Sequence, residues 1–188
     1  TRKTARGGLP GPFSKKSDRN WKGSKSNAIL SLTDQKALKA KFQDKIDTIA
    51  SSLGMKTSTL EKIFKKESGT FDPYAINHNT AATGLIQFMP EFSSAGTAKN
   101  LGTTVEELLT MGPDKQLDYV KLYFERGKKG NMSEEVDWYF IVFYPAAIGK
   151  SDDYVIGNAR TAEVNFGYAD PQHPENLITR RRVKERWG

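Results

Sequence analysis

From Thr33 onward the apolar positions of the chain fall at helical spacing. Leu38, Phe42, Ile46, Ile49 and Leu53 lie three or four residues apart, the stripe of a helix with one buried face. The pattern predicts a helix with Thr33 as N-cap and Gly54 as its stop. A second helix is expected from Ser58, which makes a capping-box pattern with Glu61, to Gly69. Residues 70–83 read as loop, and a short helix is expected over 84–89, stopping near Pro90. Thr104 with Glu107 is another capping box, ahead of Leu108 and Leu109. Pro113 suits the first turn of a helix carrying Leu117, Val120 and Phe124. Ser133, followed by Glu134 and Glu135, opens a further helix. That helix is apolar all round from Trp138 to Phe143, as a buried central helix is, and Pro145 ends it. Alternating strand patterns are scarce, so the fold class is mostly α.

The ends of the chain differ from its body. The net charge of +7 over 188 residues sits in residues 1–27, where eight basic side chains face Asp18 alone. This stretch, rich in Gly, Ser, Lys and Arg, lacks the apolar surface needed to offset the entropy of ordering. It reads as an extended basic tail that lies against a partner in an assembly. Residues 28–175 form the helical domain. Residues 176–188 are a basic C-terminal segment with Arg180, Arg181, Arg182, Lys184 and Arg186. No apolar run approaches the roughly 20 residues of a membrane span. Neither an initiating Met nor a signal-peptide pattern opens the sequence, which reads as a processed product or a piece of a longer chain. With no cysteine, disulfides, thiolate metal sites and cysteine nucleophiles are excluded. His78 and His173 lack metal-ligand spacing, and neither a metal nor a cofactor is expected.

The chemistry starts from one break in a stripe. Leu60, Ile63, Phe64 and Glu67 share a helical face, so a carboxylate stands where the next apolar residue belongs. Burial disfavours its charged form, and so does the negative end of the helix dipole. Both favour a protonated Glu67 near neutral pH, as a general acid requires. Periodicity alone also allows a Glu67 that reaches solvent or pairs with Lys65 or Lys66.

The neighbouring residues narrow the choice. Glu67-Ser68-Gly69 is followed by Phe71, Ala75 and Asn77, then by the run from Ala82 through Gly84-Leu85-Ile86-Gln87 to Pro90. This resembles the lytic transglycosylases of the soluble-lytic-transglycosylase type, whose domain has a goose-lysozyme-like fold. There a Glu-Ser pair ends a helix and a Gly-Leu-Met-Gln segment follows; here Ile86 stands in for the Met. The family's third motif, Ala-Tyr-Asn, is matched in part by Phe143-Tyr144-Pro145, with Pro in place of Asn. The resemblance spans roughly residues 55–150.

It implies cleavage of peptidoglycan between N-acetylmuramic acid and N-acetylglucosamine with Glu67 as single acid/base, leaving 1,6-anhydromuramic ends. It implies that Ser68 orients Glu67 or binds the N-acetyl group, and that Gly84 lets the backbone approach substrate. Gln87 would hydrogen-bond a sugar, Tyr144 would place its hydroxyl near Glu67, and Asn77 is a further substrate-binding candidate. Asp72 reads as a loop residue before Pro73. Phe71, Tyr74, Phe88 and Phe92 are aromatic candidates for core or for sugar stacking. A hydrolase with water as nucleophile and a virion structural component with little turnover are the alternatives. The context expected is a phage virion protein that opens the wall locally for genome entry, contacting other virion proteins through its tail. Non-specific nucleic-acid contact by the basic ends is a secondary expectation.

Overall fold

A computed structural model describes residues 28–188 apart from positions 94, 131, 158–167, 174 and 176. The basic tail expected over 1–27 lies outside the described residues. The chain is mostly α-helical, as its periodicity predicts.

The first predicted helix is two. Helix α1 (Leu32–Lys41) is capped by Ser31 rather than Thr33, because the Ser31 hydroxyl accepts from the backbone N–H of Asp34 at 3.1 Å. Phe42 then leaves helical geometry (φ −106°, ψ 11°) and α2 (Gln43–Leu53) resumes at once, ending at Gly54. One residue of break leaves the apolar stripe continuous, which is why periodicity does not reveal it. Helix α3 (Thr57–Ser68) starts without the Ser58–Glu61 capping box. Glu61 is engaged elsewhere: its carboxylate accepts from Lys39 at 2.7 Å and from Gln43 at 3.0 Å, tying α1 and α2 to α3.

Residues 84–89 form a tight turn, not a helix. Thr83 and Phe88 close it by exchanging backbone hydrogen bonds at 3.0 and 2.8 Å. A short helix α4 (Thr97–Asn100) follows where none was expected. The Thr104–Glu107 capping box forms at the head of α5 (Val105–Thr110), and Pro113 opens α6 (Pro113–Gly127). Helix α7 (Glu135–Phe143) is capped by Glu134 instead of Ser133, with Asp137 returning the second capping bond. Pro145 ends α7 and begins a 3₁₀ turn over Pro145–Ala147. From Val136 to Ile141 every residue of α7 is buried. Around it pack α3 and α6, with α2 against both of those. Among the described residues no helix is long and apolar enough to cross a membrane.

The basic C-terminal segment packs onto the folded body. Strand β1 (Val155–Gly157) pairs antiparallel with β2 (Ile178–Thr179), which leads into helix α8 (Arg180–Trp187). The basic residues of α8 are largely neutralised. Arg180 is 2% exposed and bonds Asp137 at 2.8 Å, Glu134 at 2.5 Å and Asp152 at 3.0 Å. Arg181 pairs with Asp153 and Asp170, and Lys184 with Glu134. The basic run reads as free charge in sequence because most of its acidic partners lie 28 or more positions away, Asp170 being a nearer exception.

Removing one partner from a buried ion pair strands the other charge. Arg180→Met therefore leaves Asp137 buried without its guanidinium, and we expect a loss of about 3–5 kcal/mol. Urea unfolding followed by circular dichroism measures it, and a loss under about 1 kcal/mol would contradict the ion-pair account.

Candidate active site

Glu67 lies in the last turn of α3, one residue before the helix ends at Ser68. Leu60, Ile63 and Phe64 on the same helix are fully buried, so the stripe delivers the Glu67 carboxyl to the seam between α3 and α7. There it is hydrogen-bonded to the hydroxyl of Tyr139, from the middle of α7. Tyr123 of α6 and Tyr168 also lie within its electrostatic reach. Burial is the dominant influence and raises the Glu67 pKa from 4.5 to about 7; the Lys66 ammonium and the Tyr139 bond act against it, favouring the anion. No second carboxylate is among the described groups that act on Glu67. Burial also raises Tyr123 and Tyr139, with the Glu67 charge adding to the effect.

The hydroxyl bonded to Glu67 is thus that of Tyr139, a residue that the sequence did not single out. Tyr144 has left helical geometry (φ −161°, ψ 86°) at the end of α7. Its carbonyl closes the turn over Pro145–Ala147. Sequence gives little signal for Tyr139, because a helix that is apolar all round has no phase to tell which side faces the site.

The remaining site candidates organise the loop after α3. Ser68 is 0% exposed; its hydroxyl is shared between the carbonyls of Phe64 at 3.2 Å and Leu85 at 3.1 Å. It therefore orients the helix end and does not reach a sugar. Asp72 is fully buried and accepts from the N–H groups of Ile29 at 2.5 Å, Leu30 at 2.8 Å and Tyr74 at 2.8 Å. That is a structural anchor, in line with its reading as a loop residue. Asn77 accepts from the N–H groups of Asn79 at 3.0 Å and Thr80 at 3.3 Å, shaping the turn that brings the chain back to Ala82.

Gly84 is approached by protein. Its φ is +80°, and a Cβ there would stand 2.5 Å from Oε1 of Gln116. Gln116, buried on α6, accepts from Leu85 N–H at 2.8 Å and donates to the carbonyls of Pro73 at 2.9 Å and Leu108 at 3.1 Å. Gln35 on α1 does the same for the start of the loop, accepting from Thr70 and Phe71 and donating to Leu30. Gln87 sits at φ +53°, in the left-handed region. Its amide donates to the carbonyls of Ala75 at 3.3 Å and Gly84 at 3.2 Å, and the residue remains partly exposed. A side chain other than glycine held there costs of order 1–2 kcal/mol, so the staples on either side have to enforce it.

Of the aromatic candidates, Phe71 and Phe88 are core residues and Tyr74 is half-buried. Phe92 is 58% exposed and lines a shallow cleft with Glu91, Lys99, Thr103 and Glu107, which Glu67 does not line. No protein-family model, curated protein or solved structure matches the chain.

Two outcomes follow from this geometry. Gly84→Ala forces Gln116 off its three partners and places a Cβ at positive φ. We expect about 2–4 kcal/mol of destabilisation in thermal or chemical unfolding. Glu67→Gln should gain stability over the wild type as pH rises. With a folded pKa near 7 and an unreacted value of 4.5, the folded protein binds more protons between these limits. The wild type then loses stability as pH climbs through that window, and the loss is complete above it. The neutral amide escapes this loss, so the gap opens from pH 4.5 to 7 and reaches about 1–3 kcal/mol. Paired melting curves across that range would show equal pH dependence if the carboxyl were solvated.

Proposed function

We propose that this chain is a lytic transglycosylase that cuts the glycan strands of bacterial peptidoglycan, with Glu67 as its single acid and base on a lysozyme-like framework. The observation that carries the reading is the state of Glu67: a carboxyl with a pKa near neutrality, bonded to a phenol, with no second carboxylate among the described groups that act on it. Most glycosidases divide the work between two carboxylates. Intramolecular attack by a substrate hydroxyl needs only one.

In that chemistry the protonated Glu67 gives its proton to the glycosidic oxygen between N-acetylmuramic acid and N-acetylglucosamine. The bond from the anomeric carbon to that oxygen breaks. The 6-hydroxyl oxygen of the same muramic acid residue attacks the anomeric carbon, and its proton passes to the Glu67 carboxylate. The product is a 1,6-anhydro end, and the carboxyl is protonated again for the next cycle. Because the nucleophile is already part of the substrate, proximity replaces an activated water. The Tyr139 bond, which favours the anion, strengthens as the proton leaves and so acts in the transition state. Gln87, the partly exposed amide of the turn, would hydrogen-bond a sugar. We place the activity in a phage virion, opening the wall locally for genome entry, with the basic N-terminal tail contacting other virion proteins or nucleic acid.

Digestion of purified peptidoglycan followed by mass spectrometry of the muropeptides tests this. Wild type should yield anhydromuramic ends, and Glu67→Gln should lower the rate by about 10²–10⁴-fold. Turnover should fall as pH rises through about 7, where Glu67 loses its proton. Reducing ends would assign a lysozyme that uses water. Absence of any product from wild type would favour a structural component.

A further inference from the structure

Helix α8 ends against the helix that carries Glu67. The Trp187 ring lies over the Tyr139 ring at 5.0 Å and 20° between planes. Two lysines one turn apart on α3 reach across to it. Lys62 Nζ stands 4.6 Å from the Trp187 ring and also bonds the Gly188 carbonyl. Lys66 Nζ lies 5.5 Å from the Trp187 ring and 5.8 Å from the Tyr139 ring, and donates to the Arg186 carbonyl at 3.0 Å. Two ammonium groups thus meet the negative end of α8, where cations are favoured, and the indole fills the space between them. On its other side Tyr139 stacks on Phe143 at 5.4 Å, and Phe143 on Tyr168 at 5.8 Å. Arg186 covers Tyr168 at 4.9 Å.

We propose that Trp187 is a positioning residue for Glu67, acting through Tyr139 and Lys66. The proposal rests on the reading of Glu67 as the working acid, but the clamp itself is a matter of geometry. Tyr139 has a single rotatable proton to donate, and Lys66 sits beside Glu67 in sequence. The indole fixes the plane of the first and the reach of the second. Lys66 and the Tyr139 hydroxyl are also the two groups that favour the Glu67 anion. The other titratable groups in reach are Tyr123 from α6 and Tyr168, with Lys62, Lys65 and Arg186 acting on Glu67's neighbours. The Tyr139 hydroxyl also bonds Tyr168; without the indole over its ring the phenol shifts toward that partner and the ammonium swings out, so the anion loses both supports.

The test is the titration of Glu67 itself, by carbon NMR of the full chain labelled at glutamate carboxyls, with Glu67→Gln identifying the signal. Tyr139→Phe should raise the midpoint by about half a unit or more, since one bond to the anion is gone. Trp187→Leu keeps apolar bulk but removes the flat face, and should raise it in the same direction. Trp187→Phe, which keeps a ring, should return the midpoint close to wild type. Peptidoglycan turnover should fall about tenfold in Trp187→Leu and recover in Trp187→Phe. A midpoint in Trp187→Leu that is unchanged or lowered overturns the proposal. The titration reads the clamp without any turnover, so a wild type that cleaves nothing would sink the enzymatic reading and leave the clamp to be judged on the midpoints alone.

Discussion

A half-buried carboxyl group stands at the C-terminal end of α3, and much of the surrounding structure serves its position. Burial raises its pKa, and the helix dipole pushes the same way. Full solvation would return it to its ordinary value and remove it from acid chemistry near pH 7. The intermediate state comes from two supports of the anion, the Lys66 ammonium and the Tyr139 hydroxyl. They do not cancel the burial; they hold it to a pKa of about 7. A site tuned by opposed effects is sensitive to position, because the distance dependence of the charge term and the angular dependence of the hydrogen bond differ. That sensitivity explains why the packing around Tyr139 and Lys66 is aromatic and crowded.

The loop after α3 meets a second demand. Much of residues 70–90 is buried with little regular structure, so those backbone groups need partners that helices and sheets would otherwise supply. Four buried side chains do this: Gln35, Ser68, Asp72 and Gln116. Each is saturated by backbone groups, so a polar core is tolerated here without unpaired donors. Among the described residues, the buried side-chain atoms lacking a partner are confined to Thr59, Arg182 and Trp187, outside this loop. The rigidity that results holds Gln87 in a conformation that it would not adopt alone.

Helix existence was legible from the 3.6-residue period in α2, α3 and α6, which each pack one face on the core, and from the unbroken apolar run in α7. What period cannot carry was lost: the one-residue break at Phe42 keeps the stripe in phase, and the turn at 84–89 is closed by backbone bonds with no side-chain signature. Glu67 was legible as a polar residue occupying a stripe position. The same signal marks Gln35, three residues before Leu38, and Gln116, four before Val120. Read alike, it would have revealed the staples as well. Tyr139 was not legible, since α7 has no polar face to orient it. The docking of α8 was hidden because its ion pairs join residues far apart in sequence.

The end of α7 and the phenol bonded to Glu67 are connected through this helix. Pro145 has no backbone N–H to offer and starts a 3₁₀ turn directly after α7. Tyr144 is drawn into that turn and out of helical geometry. The phenol bonded to Glu67 is that of Tyr139, five residues earlier in the middle of α7. A tyrosine at a helix end is held by the backbone that follows it. One in the middle of a helix projects into a space that its own backbone does not close. In this chain Trp187 closes that space, and Arg180 at the other end of α8 fixes the helix to α7 through Asp137. The turn at Pro145 and the C-terminal helix are therefore parts of one solution, in which a segment more than 100 residues beyond α3 completes the surroundings of its acid.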